Sequence, residues 1–526
     1  MSRDVIAGGR AVLGIELGST RIKACLVDDG GAVLATGSHQ WESSLVDGVW
    51  SYSLDEVWAG LQDCYASLAA QTERLFGVRP STYRAIGVSA MMHGYLAFGA
   101  DDELLVPFRT WRNTSTGPAA ARLTQALGQN IPMRWSVAHL FQAVLDGEPH
   151  LADLTRLTTL AGYVHERLTG RRVLGVGDAS GMFPVDPVTC TYDAAMLSAT
   201  DRLLASRGDL PPLVALLPEV LPAGRPAGTL TAEGARLLDP GGALRPGAPL
   251  CPPEGDAGTG MVATNAVNPR TANVSVGTSI FAMVVLDAPL PGAEEAIDVV
   301  TTPAGLPVAM VHCNNGAHEI GVWTGLFTDF AAALGLDVEA DRIYAALLRT
   351  ALDGEPDAGG VLSYNYLAGE PVTGLAAGRP LVVRTPDARF TLANVMRSQV
   401  YASFATLALG MRLLRTRGVK VAVMHAHGGL FRTEGVAQRL LAASIDTPVS
   451  VAQTSGEGGA WGIALLAGYL RHAAVTDLGT YLDEQVFGAS SGSVVAPDPR
   501  DVAGFAEFLA RFEAGLEVER AAVRAL

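Results

Sequence analysis

The chain has 526 residues, of which 49% are hydrophobic and 17% are charged, and its formal net charge at pH 7 is −15. This length exceeds what one hydrophobic core usually organises, and the apolar content excludes a disordered chain, so we expect two large domains. The acidic balance argues against a nucleic-acid partner, and no apolar run is long enough to predict a membrane span.

The cysteine content and the N-terminal residues indicate the cellular compartment in which the protein is expected. The five cysteines are dispersed and form no C-x-x-C pair, so neither a disulfide framework nor a zinc site is indicated. The opening residues, MSRDVIAGGR, lack the apolar segment of a secretion signal. We therefore expect a cytoplasmic protein.

The first half begins with a predicted strand over 11–17, a turn at Gly18-Ser19-Thr20 and a strand over 22–28. Ser53 is a candidate N-cap for a helix, and AIGVSAMMHGYLAFG indicates a buried strand, a loop and a second strand. The segment LTRLTTLAGYVHERLTG predicts a helix that ends at Gly170. Further on, APLCPPEGDAGTGMVATNAV predicts a strand, a loop that holds Asp256, and a helix.

The second half alternates strands and helices again. Helices are predicted over TLANVMRSQVYASFATLALGMRLLRTRG and from Gly435 to Ile445. A strand is predicted over VKVAVMHA, followed by the glycine pair Gly428-Gly429. Residues 502–526 predict one amphipathic helix docked on the body of the protein.

A repeat links the two halves. GIELGSTRIKACLVD at 14–28 is similar to NVSVGTSIFAMVVLD at 273–287, which indicates one supersecondary unit used twice. Small hydroxyl residues at such a turn, with exposed backbone N–H groups, can surround a phosphate. The alternative is a pair of ordinary hairpins in a duplicated fold, but two copies at matching positions favour a polyphosphate held between two domains.

Taken in order, these motifs resemble the FGGY family of carbohydrate kinases, in the superfamily of actin, hexokinase and Hsp70 ATPases, and most closely its xylulokinase-like branch. The resemblance rests on both hairpins and on SAMMHG, RLTGRRVLGVGDASGMFPVD, PPEGDAGTG, YLAGE and HAHGGLF, and it implies that GEGGAWGIALLAGYL is the last helix. It implies an α/β fold with two duplicated actin-like (ribonuclease H-like) ATPase domains and a deep interdomain cleft. We place the sugar site and catalytic aspartate in 1–262, and the nucleotide site and C-terminal helix in 263–526.

The resemblance also implies roles for individual residues. Asp256 would accept the proton of the sugar hydroxyl, with helix capping as the alternative. Glu16, where the family usually has Asp, would hold Mg²⁺ through water together with Asp256. The implied sugar contacts are Met92, His93, Trp111 and Asp256, the histidine and tryptophan having core positions as alternatives. The implied nucleotide contacts are Gly18, Ser19, Thr20, Lys23, Gly277, Thr278, Ser279, Gly428, Gly429 and Phe431, with a structural salt bridge as the alternative for Lys23.

The implied function is an ATP-dependent carbohydrate kinase that phosphorylates a hydroxyl of a small sugar. The implied acceptor is a ketopentose such as xylulose, the implied cofactor is Mg²⁺, and a homodimer is a further expectation.

Asn113, Ser115 and Ala402 depart from the family pattern, as Glu16 does. Glu16 and Asn113 leave open an alternative, a non-catalytic sugar or nucleotide sensor on the same fold. A chaperone ATPase is disfavoured because too few residues follow the second lobe to form a substrate domain. His425 and His427 share one face of a strand, but without nearby carboxylates they indicate structure rather than a metal site.

Overall fold

The computed structural model describes residues 2–205, 210–451, 458–488 and 493–526. Within these ranges the chain forms two mixed β-sheets, here called the N-terminal and the C-terminal sheet. The strands of the N-terminal sheet are Val12–Leu17, Arg21–Val27, Val33–Gln40, Ala85–Ala90 and Glu254–Gly255. Those of the C-terminal sheet are Thr271–Val276, Ile280–Val285, Asp298–Thr301, Pro307–Cys313, Val423–Gly428, Val449–Val451 and Ser493–Val495.

Both sheets share one topology. In each, the first three main strands pair antiparallel, the fourth lies parallel to the first, and the fifth lies parallel to the fourth. Asp298–Thr301 and Ser493–Val495 extend the two edges of the C-terminal sheet. The duplicated α/β architecture predicted from the repeat is confirmed, and Gly18 and Gly277 occupy equivalent first turns.

Helices connect and cover these strands. The longer ones are Leu54–Phe76, Gly117–Leu127, Ser136–Asp146, Leu160–Thr169, Ala194–Ala205, Asp256–Ala263, His318–Ala333, Ala340–Thr350, Leu392–Thr416, Val436–Ile445, Gly458–Tyr469, Pro499–Ala514 and Leu516–Ala525. Short α-helices are Ser2–Ala7, Val176–Ala179, Leu213–Leu216, Ala232–Leu238 and Leu478–Tyr481. Two-stranded ribbons join Ser44–Val46 with Val49–Ser51, Leu96–Phe98 with Arg156–Thr158, Val173–Gly175 with Glu219–Leu221, Val185–Asp186 with Thr191–Tyr192, and Val361–Tyr364 with Leu381–Arg384.

The predicted cap at Ser53 is confirmed. Its hydroxyl accepts the N–H of Glu56 at 3.1 Å, and the Glu56 carboxylate accepts the N–H of Ser53 at 3.1 Å, so the helix Leu54–Phe76 begins with a complete capping box. Two orphan donors of the first turn are thereby satisfied. This helix links the third and fourth strands of the N-terminal sheet, as Leu392–Thr416 does in the C-terminal sheet.

Three predicted elements need correction. The helix that ends at Gly170 begins only at Leu160, because Arg156–Thr158 pairs as a strand with Leu96–Phe98. The predicted helix 502–526 is two helices that meet at Gly515, although it docks on the C-terminal core as expected. The strand predicted over VKVAVMHA begins at Val423. No helix in the described ranges combines the length and apolar character needed to cross a membrane.

The helix Gly458–Tyr469 comes from the second half of the chain but packs on the N-terminal sheet. A Cβ atom at Gly14 would lie 2.1 Å from the carbonyl oxygen of Ala460, so only glycine permits this close approach. The same helix crosses Asp256–Ala263, where a Cβ at Gly462 would lie 2.1 Å from the Thr259 carbonyl oxygen.

The first two residues of the predicted segment GEGGAWGIALLAGYL lie outside the described residues. The domain bounds 1–262 and 263–526 stay a prediction.

Candidate active site

A cleft of about 630 Å³ lies between the two sheets and is lined by residues from both. Residues that are far apart in sequence meet there, which is the arrangement that the two repeated turns predict. The predicted site residues that line it are Glu16, Ser19, Lys23, Met92, His93, Trp111, Asp256, Ser279 and Gly428. Gly18, Thr20, Gly277, Thr278 and Gly429 do not line it but adjoin residues that do, whereas Phe431 is buried in the C-terminal core.

Side-chain donors of the protein hydrogen-bond to the first repeated turn, Gly18-Ser19-Thr20. The indole N–H of Trp41 donates to the Gly18 carbonyl at 2.7 Å, and the Tyr52 hydroxyl donates to the Ser19 carbonyl at 2.6 Å. The indole N–H of Trp111 donates to the Ser19 hydroxyl at 3.2 Å. Carbonyl oxygens would repel an anion, and here both are bound by protein donors, which leaves the turn compatible with a phosphate.

The second repeated turn uses backbone donors for the same purpose. The Gly277 carbonyl accepts the N–H of Ala317 at 2.8 Å, and the Thr278 carbonyl accepts the N–H of Gly316 at 2.7 Å. The two turns are therefore equivalent in topology and in how their carbonyls are bound, although the donors differ.

Asp256 is the first residue of a helix rather than a loop residue, which corrects the sequence prediction. Gly255 is the N-cap of the helix Asp256–Ala263, and the Asp256 carboxylate accepts the backbone N–H of Met92 at 3.1 Å. Burial raises the pKa of Asp256, while backbone N–H groups, that of Met92 first, lower it. A carboxylate held this way faces the cleft and remains able to accept a proton.

Two further carboxyl groups lie behind Asp256, and the sequence reasoning missed both. Glu254 is 1% exposed and accepts the N–H groups of Gly177 at 3.2 Å and Asp178 at 2.9 Å. Asp178 is fully buried and accepts the Thr159 hydroxyl at 2.6 Å. Burial, together with a neighbouring acidic group in each case, raises the pKa of Asp178 to about 7 and that of Glu254 to about 8.

His93 has a fixed orientation and tautomer. Its backbone φ is +72°, a left-handed conformation that is uncommon outside glycine, and its ring is stacked near Trp135 with centroids 6.4 Å apart. Its Nδ1 lies 3.1 Å from the Gly181 carbonyl, which can only accept, so Nδ1 carries the proton. Burial holds the pKa of His93 well below its usual range. The Nε2 atom of the neutral ring is therefore an acceptor suited to a sugar hydroxyl.

Glu16 lies directly opposite Lys23 on the paired strands of the first hairpin. Its carboxylate reaches the start of the helix Gly458–Tyr469, where a Cβ at Gly459 would lie 2.2 Å from Glu16 Oε1. The described residues contain no cluster of three or more His, Cys, Asp or Glu side chains that could hold a metal ion. Mg²⁺ commonly keeps several waters and uses one or two carboxylates plus substrate phosphates, so Glu16 and Asp256 fit that ion.

Asn113, a departure from the family pattern, has a structural role. Its side-chain oxygen accepts the N–H of Trp50 at 2.9 Å, and its amide N–H₂ donates to the carbonyls of Trp50 at 2.9 Å and Thr110 at 3.1 Å. Only an amide can donate and accept in this way, so aspartate could not replace it here. Ala402 is buried within the helix Leu392–Thr416 and does not line the cleft.

Sequence reasoning did not predict several other residues that line the cleft. Arg134, from the segment NIPMRWS, lines the cleft beside His93, and Phe281 and His312 line it from the C-terminal sheet. Phe281 lies in the second repeat, NVSVGTSIFAMVVLD, whereas Arg134 and His312 belong to no recognised motif, because they reach the cleft only through the tertiary fold.

Comparison with known proteins matches both halves of the chain to one protein family. The N-terminal domain model of the FGGY family of carbohydrate kinases matches residues 11–241, and its C-terminal domain model matches residues 272–471. The xylulose kinase of Escherichia coli (strain K12) is 24% identical over 299 residues, which is 54% of this chain and 56% of that enzyme, about half of each. Solved structures with the same fold include a xylulose kinase from Rhodospirillum rubrum, with TM-score 0.78, 18% identity and coverage of 97% and 99% of the two chains. A gluconate kinase from Lactobacillus acidophilus has TM-score 0.77, 18% identity and 98% coverage of both chains.

Proposed function

Because the chain belongs to the FGGY family of carbohydrate kinases, we propose that it transfers the γ-phosphoryl group of ATP to a hydroxyl of a small sugar. The starting hypothesis for the acceptor is a ketopentose such as xylulose, after the names of its curated relatives. The observation that carries the proposal is the cleft, which Asp256 and His93 line together with Ser19 and Ser279 of the two repeated turns.

The chemistry follows from the positions of these groups. The Asp256 carboxylate accepts the proton of the sugar hydroxyl while the hydroxyl oxygen forms a bond to the γ-phosphorus. The bond between the γ-phosphorus and the oxygen bridging to the β-phosphate breaks, and ADP leaves with that oxygen. His93 Nε2 accepts a second hydroxyl and thereby orients the sugar.

The two turns supply the nucleotide site in this proposal. Ser19 from the N-terminal half and Ser279 from the C-terminal half line the same cleft, so a polyphosphate between them would contact both. Glu16 and Asp256 would hold Mg²⁺ through water, and the ion would neutralise charge on the phosphates. Movement of the halves towards each other would exclude water, so that the sugar rather than water accepts the phosphoryl group.

The test is ADP release by the purified protein with ATP and Mg²⁺, with and without each of a panel of pentuloses, hexuloses, pentitols and glycerol. A kinase releases ADP only when its acceptor is present. A folded protein that binds ATP and sugar but releases no ADP with any acceptor would instead be the sensor alternative.

A further inference from the structure

Arg134 lines the cleft and is held by an ion pair with the second half of the chain. Its Nη2 pairs with Asp298, the first residue of the edge strand Asp298–Thr301, and the second oxygen of Asp298 accepts the Asn130 amide at 2.9 Å. Both oxygens of Asp298 are therefore engaged, and the guanidinium has a defined position at the cleft wall.

The remaining donors of Arg134 are unused within the part of the chain that the structure describes. Among the described residues, neither Nε nor Nη1 has a hydrogen-bond acceptor, and neither is sealed from solvent. The Arg134 side chain is 19% exposed, and the cleft is the cavity that it lines. A guanidinium that is fixed on one side and open on the other is a preorganised site for an oxygen-rich group.

His312 adds a second donor beside it. The ring stacks on Phe281 with centroids 4.3 Å apart and planes 9° apart, and both residues line the cleft. Burial and the nearby Arg134 lower the pKa of His312 to about 3, so the ring is neutral and carries one N–H. That ring can donate to an acceptor without adding a charge.

Arg134 is the charged side chain that acts on both histidines of this end of the cleft. Arg134 lowers the pKa of both His93 and His312, and no acidic side chain is among the groups that shift either pKa. Lys23, Glu16 and Asp256 also line the cleft, and in the proposed function the two carboxylates act at the phosphates and the reacting hydroxyl. Arg134 offers donors only, so a carboxylate, which only accepts, engages it more fully than the hydroxyls of a neutral ketose, each of which also brings a donor.

We infer that the acceptor is an open-chain sugar acid, whose carboxylate binds Arg134 and His312 while a distal hydroxyl faces Asp256. This inference rests on the proposed kinase function and names its substrate class. The transfer itself is unchanged: the hydroxyl oxygen bonds to the γ-phosphorus, its proton passes to Asp256, and ADP leaves. Asp298 is a positioning residue, because it acts through Arg134.

The experiment compares acceptors matched in size. ADP release is measured for the full chain with xylonate against xylulose, and with gluconate against glucitol. A charge-assisted pair contributes about 1.5–3 kcal/mol, so we expect kcat/KM to favour each acid by about 10- to 100-fold. Ribulose 5-phosphate tests whether the site prefers a phosphate ester instead.

Variants then assign the preference to Arg134. Arg134→Gln should lower kcat/KM for the acids by about 10- to 100-fold, mainly through KM, and change that for xylulose by less than about threefold. Arg134→Lys keeps the charge but loses the fork and should lie between. The matched control is Arg109→Gln, which removes an arginine of similar burial that pairs with Glu148 away from the cleft and should not alter the preference.

The outcomes separate the two proposals. Sugar-dependent ADP release that favours xylulose over xylonate, or ribulose 5-phosphate over both, overturns the sugar-acid inference and leaves the kinase function standing. Equal losses for acid and ketose in Arg134→Gln overturn Arg134 as the carboxylate anchor. A folded wild-type protein that releases no ADP with any acceptor overturns the kinase function itself.

Discussion

Replacement of Asp256 by asparagine separates chemistry from binding. The asparagine oxygen can still accept the Met92 N–H, which the carboxylate accepts at 3.1 Å, so the side chain should keep its place at the start of the helix. Its amide cannot take a proton at neutral pH. General-base assistance contributes about 10²–10⁴ in rate, so we expect kcat to fall by that factor, or by about 3–5 kcal/mol of transition-state stabilisation.

The assay is sugar-dependent ADP release, with ATP and sugar binding measured directly and a thermal melt for each protein. We expect both ligands to bind nearly as well as to the wild type, because the two turns and His93 are unchanged. Asp341→Asn makes the same chemical change at an exposed position in the first turn of the helix Ala340–Thr350 and serves as the control. If Asp256→Asn turned over the preferred acceptor within a few-fold of wild type, the assignment of Asp256 as the base would be refuted.

Three more predictions concern the metal site, helix crossing and buried carboxyls. Glu16→Asp should keep substantial activity and Glu16→Ala should lose most of it while needing more Mg²⁺, and an Mg²⁺ titration that is identical for all three proteins would assign Glu16 to structure. Gly462→Ala should lower the free energy of unfolding by at least about 1–3 kcal/mol, because its methyl group would overlap the Thr259 carbonyl, and urea denaturation would show no change if the crossing is looser than described. The pKa of Asp178 is about 7 in the folded protein and about 4 when unfolded, so its protonation favours folding at low pH and this contribution is lost as pH rises through 7. Asp178→Asn should therefore show a smaller loss of stability between pH 5 and 8 than the wild type, and parallel curves from urea denaturation would contradict this.

The parts of the fold that could be predicted are those encoded locally. The cap at Ser53 and the turns at Gly18 and Gly277 follow from short-range chemistry, so their residues identify them directly. The strand Arg156–Thr158 was missed because its pairing partner lies far away in sequence, and tertiary pairing overrode a helical pattern.

In the candidate site too, some residues could be predicted from sequence motifs and others only from the tertiary fold. The motif residues Asp256 and His93 were found by sequence and lie together in the cleft. Arg134 could not be found, because its position depends on Asp298 from the opposite half of the chain. Asn113 was interpreted as a possible loss of function, whereas its contacts with Trp50 are visible only in three dimensions.

The placement of the helix Gly458–Tyr469 on the N-terminal sheet constrains the order of biosynthesis. Gly14 and Gly87 acquire their packing partner only after the ribosome has translated through this helix, so one face of the earliest sheet lacks its cover until then. A fragment that ends at residue 262 should therefore be prone to aggregation. Two separately expressed fragments should reassemble into a stable protein only when the piece with the N-terminal sheet can recruit 458–469 from the other.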